Sequence, residues 1–322
     1  MKAIVHDRFG GAEVLTFRDV ESPIPADGQI VVRVKAASLN MYDWHMVTGT
    51  PYLARTQAGL LKPKRQVPGS DVAGVVEQVG DGVTEFKVGD HVFGSVGMGS
   101  FAELARSGGK HLAIKPAGVT FEAAGATPMA GLTALQGLRD HGGLEAGQRV
   151  LVNGASGGVG TFAVQIAKAI GAEVTAVCST SKVDLIRSLG ADRVIDYTVN
   201  DFVETERGYD LLFDNVGKRG WRDTRQVLGP KGVNVTITGP MNRWAGPTRN
   251  NIFRQIQSIS GDQRFTWFVA SGARADLEFL GELIVSGKIS PAIERTYSLP
   301  ETPEAFHYLG EGHAAAKLVI VP

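Results

Sequence analysis

The pattern of apolar and polar residues changes once along the chain. In the first third, short apolar stretches such as Gly28–Leu39 and Val72–Gly80 alternate with turns rich in glycine and proline. Regularly spaced strands of this kind predict an all-β, barrel-like domain. A helical stretch follows, with Thr120 as its expected N-cap and Gly142 at its end.

Beyond this stretch, strands and helices alternate. Apolar stretches predict six strands, namely RVLVNG, EVTAVC, RVIDY, DLLFDNV, VNVTITG and RFTWFVA. The helices between them imply crossover units and a parallel sheet with both faces covered. About six such strands favour a doubly wound dinucleotide-binding fold. The stretch from Lys288 to the C-terminus returns to β character, and we expect it to rejoin the first domain.

The turn after the first of these strands reads GASGGVG, from Gly154 to Gly160. Glycines there let a phosphate approach backbone N–H groups at the positive end of a helix, and the strand–turn–helix context favours a pyrophosphate site. The same letters match the G-x-S-x-G elbow of serine hydrolases, with Asp214 and His313 following in the order that a triad requires. The sequence favours the pyrophosphate site, with Ser156 as a hydrogen-bond donor to it.

The end of the second strand bears on the choice of cofactor. NAD-specific sites usually carry an acidic residue there, which binds the ribose 2′-hydroxyl. The stretch VCSTSK, Val177–Lys182, has no acid. Hydroxyls of Ser179 and Ser181, with the ammonium of Lys182, would attract a 2′-phosphate, and an ordinary polar loop is the alternative. We therefore predict NADPH as the cofactor.

Composition excludes several other classes of protein. The 322 residues include 33 Lys and Arg against 33 Asp and Glu, which argues against a nucleic-acid partner. We expect a cytoplasmic protein, because the sequence shows no apolar run long enough to span a bilayer and no signal-peptide core. With Cys178 as the single cysteine, disulfides within the chain and multi-cysteine metal sites are excluded.

Several longer segments resemble one family. They are KAASLNMYDW, PGSDVAGVVEQVGDGVTEFKVGDHVFG, AGLTALQGL, GASGGVGTFAVQIAKAIGAEV and LGADRVIDY. Together they resemble the medium-chain dehydrogenases/reductases, in the zinc-independent quinone oxidoreductase branch. The resemblance implies an α/β fold class. A GroES-like β-barrel catalytic domain would cover residues 1–120 and be completed by 287–322, and a Rossmann doubly wound parallel-sheet domain that binds NADPH would cover 121–286.

The same resemblance bears on metal binding. Zinc alcohol dehydrogenases of the family hold catalytic zinc through a cysteine where this chain has Asn40 and a histidine where it has Ser70, with a glutamate at the position of Asp71. Neither Asn40 nor Ser70 is a good zinc ligand. We therefore expect no metal, and without a Lewis acid alcohol oxidation is disfavoured.

Site residues follow from the resemblance position by position. Asn40 and Tyr42 are expected beside the nicotinamide as the catalytic residues. Ala315 stands where close relatives often carry an arginine. The residues expected to contact NADPH are Asn40, Thr133, Ser156, Gly157, Gly158, Val159, Ser179, Lys182, Tyr197, Asn215, Gly239, Phe268 and His313.

The predicted function is NADPH-dependent, zinc-independent two-electron reduction of a small quinone or α,β-unsaturated carbonyl, in a homodimer. Hydride would pass directly to the acceptor, so the protein would contribute proximity, orientation and exclusion of water. The proton would come from solvent or through Tyr42. The alternatives are a reductase of alkenals or enoyl thioesters, an alcohol dehydrogenase, a serine hydrolase and a non-catalytic NADPH-binding protein.

Overall fold

A computed structural model of the protein describes residues 1–239, 242–259 and 261–322. The chain forms two compact units. The first, which we call the barrel unit, consists of Met1–Leu132, Gly272–Gly287 and Pro291–Pro322. The second, which we call the sheet unit, consists of Thr133–Ser271 and Lys288–Ser290.

The strands of the barrel unit are mostly antiparallel. They are β1 Lys2–Val5, β2 Thr16–Asp19, β3 Ile30–Leu39, β4 Asp71–Val79, β5 His91–Ser95, β6 Leu104–Ser107, β7 Leu112–Ile114, β14 Ile293–Ser298 and β15 Lys317–Val321. β1 pairs with β2, and the others form one sheet in the order β14-β15-β3-β4-β5-β7, with β6 also paired to β3. β15 runs antiparallel to β3 with Leu318 opposite Leu39, so the C-terminal stretch joins this unit as predicted.

The sheet unit contains six parallel strands among its described residues. They are β8 Arg149–Asn153, β9 Glu173–Cys178, β10 Arg193–Asp196, β11 Tyr209–Asp214, β12 Leu228–Thr236 and β13 Arg264–Trp267. Their order, β10-β9-β8-β11-β12-β13, is that of a doubly wound dinucleotide-binding sheet. From β8 the chain adds strands on one side of the sheet, and from β11 it adds them on the other side, so the strand order reverses between these two strands. Such folds bind ligands in the crevice beyond the carboxyl ends of the strands at this point.

Helices connect the strands in both units. They are α1 Met41–Thr48, α2 Arg55–Ala58, α3 Phe121–Ala126, α4 Pro128–Gln136, α5 Gly158–Ile170, α6 Val183–Ser188, α7 Phe202–Thr205, α8 Trp221–Val227, α9 Thr248–Ser258, α10 Arg274–Val285 and α11 Thr302–Gly310. None of the helices in the described ranges is long and apolar enough to cross a bilayer.

The helical stretch that begins at Thr120 is divided. Thr120 caps α3, since its hydroxyl oxygen accepts a hydrogen bond from the Ala123 N–H at 3.1 Å, as predicted. Pro128 has no backbone N–H to continue the helix, and α4 starts there instead. A π-helical turn over Gly137–His141 then leads to Gly142.

The boundaries between the two units differ from the predicted boundaries at 120/121 and 286/287. α3 packs on β3 and β4, and the Met129 N–H donates to the Asp71 carboxylate at 3.2 Å. Arg274, at the start of α10, pairs with Glu85 at 2.8 Å. These contacts place residues 121–132 and 272–287 in the barrel unit, because packing and ion pairs between distant segments outweigh the change in local pattern.

Candidate active site

A tight turn joins β8 to α5 where β8 lies between β9 and β11. Gly154 has φ +75°, a conformation that favours glycine, and Gly157 caps α5 in an extended conformation with φ −78°. α5 then runs from Gly158 to Ile170, and the left-handed Gly171 is its C-cap. The first N–H groups of a helix have no partner within it, so this turn presents the donors that an anion needs.

The glycines of this turn meet two different requirements. A Cβ at Gly160 would overlap the carbonyl oxygen of Gly154 and lie 2.6 Å from that of Ala155, so internal packing requires glycine there. A Cβ at Gly157 would meet the Gly154 oxygen at 3.7 Å, which is ordinary contact. Within the described residues, nothing in the packing requires glycine at position 157. A ligand that approaches the backbone closely would require it, so the turn fits a pyrophosphate.

Ser156 lacks the surroundings of a nucleophile. Ala316 is the one described non-glycine residue with positive φ, so Ser156 does not have the strained backbone of a nucleophile elbow. Asp214 accepts hydrogen bonds from Asn153 Nδ2 at 2.8 Å and from the Gly217 N–H at 2.9 Å. No histidine in the described ranges hydrogen-bonds to Asp214 or Ser156. The geometry thus offers no support for the serine hydrolase alternative.

Three of the residues expected to contact NADPH, Ser179, Lys182 and Tyr197, lie near one another. β9 and β10 pair with Cys178 beside Asp196, and the Tyr197 N–H donates to the Cys178 carbonyl at 3.0 Å. Ser179 precedes a 3-10 turn that ends at Lys182, whose N–H donates to the Ser179 carbonyl at 2.9 Å. Ser179, Lys182 and the exposed Tyr197 therefore lie along one edge of the sheet.

An acid that the sequence did not single out shares this edge. The Asp196 carboxylate accepts hydrogen bonds from the hydroxyls of Thr180 at 2.5 Å and Thr198 at 2.7 Å. These bonds, first the one from Thr180, hold the pKa of Asp196 below its usual range, so the carboxylate stays charged. Its charge opposes a 2′-phosphate nearby. Asp196 is the last residue of the third strand, β10, whereas an acid that binds the ribose is usually expected at the end of the second.

Asn215 follows β11, and its N–H donates to the Asn153 carbonyl at 3.0 Å. Both polar atoms of its side-chain amide are buried without a hydrogen-bond partner among the described residues. A buried amide left in this state carries a desolvation cost that a polar ligand would remove. Asn215 therefore fits the predicted contact with a ribose of NAD(P)H.

The remaining predicted cofactor residues divide into two groups. Gly239 follows β12, and Phe268 follows β13 and stacks on His141 with ring centroids 4.2 Å apart. Like the residues after β8, β9, β10 and β11, they lie beyond the carboxyl ends of parallel strands. Thr133 lies instead inside α4, and the exposed His313 precedes β15 in the barrel unit.

In the barrel unit, Asn40 belongs to a buried polar cluster. It follows β3 and precedes α1. Its Nδ2 donates to Asp71 Oδ2 at 2.9 Å and to the Ser38 carbonyl at 3.3 Å. Its Oδ1 accepts from the Lys317 ammonium at 2.5 Å. Asn40, Asp71 and Lys317 are 8%, 0% and 2% exposed, so the cluster is shielded from solvent.

These contacts limit the chemistry available to Asn40. An asparagine amide has two hydrogens, and both are used when Nδ2 makes two donor bonds. Asn40 therefore has no donor left to polarise the oxygen of a bound acceptor, and its side chain also takes part in a capping box with the backbone of Asp43. Its catalytic role stays a prediction.

Tyr42 is half-buried in the first turn of α1. Burial, and then the charge of Asp43, raise the pKa of the Tyr42 hydroxyl, while Arg65 opposes them. The hydroxyl is therefore neutral at neutral pH and can donate a hydrogen bond. Asp43 Oδ2 accepts the Asn40 N–H at 2.9 Å, and burial raises the pKa of the Asp43 carboxyl to about 7.

Comparison with known proteins identifies the family. The profile of the alcohol dehydrogenase GroES-like domain matches residues 26–126, and that of the zinc-binding dehydrogenases matches residues 189–320. The mitochondrial NAD(P)H oxidoreductase RTN4IP1 of Mus musculus is 35% identical to this chain over an alignment of 353 positions. The alignment covers 99% of this chain and 89% of that protein. The chain belongs to the medium-chain dehydrogenase/reductase family.

Two further relatives place the chain near the quinone oxidoreductases of that family. The chloroplastic NADPH-dependent alkenal/one oxidoreductase of Arabidopsis thaliana is 33% identical and covers 100% of this chain and 80% of that protein. The structure of the quinone oxidoreductase from Coxiella burnetii has a TM-score of 0.89 at 29% identity, covering 100% of this chain and 99% of that one. This medium-chain dehydrogenase/reductase is therefore an oxidoreductase that uses NAD(P)H and a small-molecule substrate.

The zinc positions of the family do not fit a metal ion in this member. Asn40 Oδ1 accepts from the Lys317 ammonium, which would repel a second cation. Ser70 shares a hydrogen bond of 2.9 Å with the hydroxyl of Ser95. In the part of the chain that the structure describes, no group of three or more His, Cys, Asp or Glu side chains could hold a metal.

Lys317 is the residue of this dehydrogenase/reductase that the sequence reasoning missed. It lies in AAAKLVIVP, where every neighbour is apolar. A lysine is almost never fully buried unless it is paired. A lysine in an otherwise apolar C-terminal strand was therefore a usable signal that a buried partner exists, but its identity could not be read from the sequence.

Proposed function

We propose that this protein reduces a quinone or an α,β-unsaturated carbonyl with NADPH, by direct hydride transfer and without zinc. The observation that carries the proposal is the turn at Gly157, where the backbone is open to a ligand and packing does not require glycine. When bound, NADPH supplies a hydride, which carries two electrons. The relatives named a quinone oxidoreductase and an alkenal/one oxidoreductase support this substrate class.

The donors in the barrel unit support a conjugated acceptor. A simple ketone becomes an alkoxide on hydride transfer, and its oxygen then needs a metal or another strong electrophile. A quinone or enone spreads the charge over its conjugated system, so one neutral donor is sufficient. Asn40 has no donor left, whereas Tyr42 keeps its proton. We assign Tyr42 as the general acid, whose proton moves to the acceptor oxygen and is replaced from solvent.

The preference for NADPH over NADH rests on Ser179, Lys182 and Tyr197. The two hydroxyls and the ammonium lie along one edge, where a 2′-phosphate would accept from them. The Asp196 carboxylate acts against this preference, and its hydrogen bonds to threonine hydroxyls only partly offset its charge. The expected preference is therefore moderate.

NADPH absorbance, followed with a panel of quinones, enones, alkenals and an enoyl thioester, tests the proposal. We expect quinones or enones to give the highest kcat/KM. Tyr42→Phe should lower kcat at least tenfold and leave NADPH affinity within twofold. Tyr52, a partly buried tyrosine in the 3-10 turn Tyr52–Ala54 of the same unit, is the control, and Tyr52→Phe should change neither. An unchanged kcat in Tyr42→Phe would reject Tyr42 as the acid. Bound NADPH without turnover of any acceptor would favour the non-catalytic alternative, and the fastest turnover of the enoyl thioester would favour that reductase.

Metal independence has its own test. Purified protein should contain no stoichiometric zinc by elemental analysis, and turnover should survive a chelator. Activity that is lost on chelation and restored by zinc would show that the zinc-independent mechanism is wrong. The homodimer and the cytoplasmic location also remain predictions, which sedimentation and fractionation would check.

A further inference from the structure

Lys317 occupies the centre of the buried cluster in the barrel unit. Its ammonium donates to the Leu39 carbonyl at 3.1 Å and to Asn40 Oδ1 at 2.5 Å, and it lies 4.0 Å from Asp71 Oδ2. Asp71 in turn accepts hydrogen bonds from Ser38 Oγ at 3.0 Å and from Asn40 Nδ2 at 2.9 Å. Lys317 thus touches the end of β3 and the residue that precedes α1.

The cluster determines which way the Asn40 amide points. An ammonium can only donate a hydrogen bond, and a carboxylate can only accept one. Asn40 Oδ1 must therefore face Lys317, and Asn40 Nδ2 must face Asp71. Without the ammonium, the amide oxygen would lose its charged donor, and the amide could rotate.

The same residue controls the first turn of α1. The Asn40 N–H donates to Asp43 Oδ2 at 2.9 Å, and the Asn40 carbonyl accepts from the Trp44 N–H at 3.3 Å. In the chain, Tyr42 lies between Asn40 and these two partners, so the position of its backbone follows the position of Asn40. A displacement of Asn40 would move the Tyr42 hydroxyl as well.

The backbone directly before Lys317 has an unusual conformation. Ala316 has φ +55°, a left-handed conformation that residues with a Cβ disfavour. Flanking hydrogen bonds maintain it, since the Ala315 N–H donates to Glu294 Oε2 at 2.6 Å and the Lys317 N–H donates to the Ala292 carbonyl at 3.1 Å. A strained residue persists where its surroundings over-determine it, and such residues concentrate at functional sites.

We infer that Lys317 is a positioning residue for the proposed reductase. Its ammonium holds the Asn40 side chain, and through Asn40 and the first turn of α1 it sets the place of the Tyr42 hydroxyl. This inference rests on the proposed function in one respect, the assignment of Tyr42 as the proton donor. The orientation of Asn40 by Lys317 does not depend on that assignment.

The test must separate two roles of Lys317, positioning the Asn40 side chain and neutralising the charge of Asp71. Lys317→Met leaves the buried Asp71 carboxylate uncompensated, which lowers stability for reasons unrelated to catalysis. The double variant Lys317→Met/Asp71→Asn removes both charges, while the amide introduced at position 71 keeps an oxygen that can accept from Asn40. Lys115→Met is a matched control, because Lys115 is also buried in this unit, where it donates to the Pro116 and Val119 carbonyls.

We expect the double variant to be more stable than Lys317→Met, with NADPH affinity within twofold of the unmutated protein. Its kcat should stay at least tenfold low, while the kcat of Lys115→Met should be unchanged. Recovery of kcat together with stability would show that Lys317 only balances Asp71. An unchanged kcat in a folded Lys317→Met protein would also overturn the inference.

A readout without turnover tests the orientation itself. In protein labelled with 15N-asparagine, the side-chain amide hydrogens of Asn40 should exchange slowly with solvent, and they should do so in Lys115→Met as well. In the double variant they should exchange at least tenfold faster. Equal exchange in all three proteins would refute the positioning of Asn40, whereas absence of turnover in the unmutated protein would refute only the proposed function.

Discussion

The substitution Gly157→Ser should have opposite effects on stability and on cofactor binding. Gly157 is the N-cap of α5 in an extended conformation that serine also adopts, and its side chain makes no capping bond. A Cβ there has the Gly154 oxygen at 3.7 Å as its near neighbour. Serine is a better N-cap than glycine by a few tenths of a kcal/mol. The melting temperature should therefore be unchanged or rise by about 1 °C.

NADPH binding should weaken in the same variant. The serine side chain would occupy the space through which a pyrophosphate reaches the backbone N–H groups. The loss of one charge-assisted hydrogen bond amounts to about 1.5–3 kcal/mol. The dissociation constant should therefore rise by roughly 10-fold to 100-fold. Titration of NADPH by isothermal calorimetry and thermal unfolding of the apoprotein measure the two effects separately.

A second helix provides the matched control. Gly220 caps α8 with φ −71° and ψ 166°, also without a side-chain cap, and an added Cβ would meet Asp223 Oδ2 at 3.8 Å. Gly220→Ser should give the same small change in stability and leave NADPH affinity unchanged. If Gly157→Ser binds NADPH like the unmutated protein, the turn is not the pyrophosphate site. If both variants lose affinity equally, the effect is not local to that turn.

Three other changes test further parts of the reasoning. Lys182→Ala should weaken NADPH by about 1–2 kcal/mol and leave NADH nearly unchanged, and equal affinities of the unmutated protein for the two cofactors would contradict the 2′-phosphate assignment. Gly160→Ala should lower the free energy of unfolding in urea by at least about 2 kcal/mol, because the new methyl overlaps the Gly154 carbonyl. An unchanged free energy would contradict the close packing of this turn. The pKa of the Asp43 carboxyl is about 7 in the folded protein and 3.8 in the unfolded chain. Between pH 3.8 and pH 7 the folded state therefore binds more protons than the unfolded state, and the free energy of unfolding falls as pH rises. Asp43→Asn should remove that fall, which amounts to at most about 3 kcal/mol in urea unfolding between pH 5 and 8, whereas the exposed Asp262→Asn should not.

Much of the sheet unit followed from the sequence, since its signals are local. The alternation of apolar strands with amphipathic helices predicts a parallel sheet, and the glycines from Gly154 to Gly160 follow directly after its first strand. Burial on both faces of a parallel sheet imposes this pattern on each strand separately. The resemblance to the medium-chain dehydrogenases/reductases extended the prediction to Asn215, whose unpartnered amide is consistent with it.

Only the tertiary structure shows which residues from distant parts of the chain come into contact. Lys317 and Asn40 are 277 positions apart, and neither residue indicates the other by its local pattern. Asp196 lies beside Cys178 because β10 pairs in register with β9, and α3 and α10 join the barrel unit through packing and ion pairs. Local sequence determines which elements form, because each residue's conformational preference acts on its own turn or strand. Which polar groups share one buried cluster depends on how those elements close against one another, and this closure gives both amide hydrogens of Asn40 their acceptors.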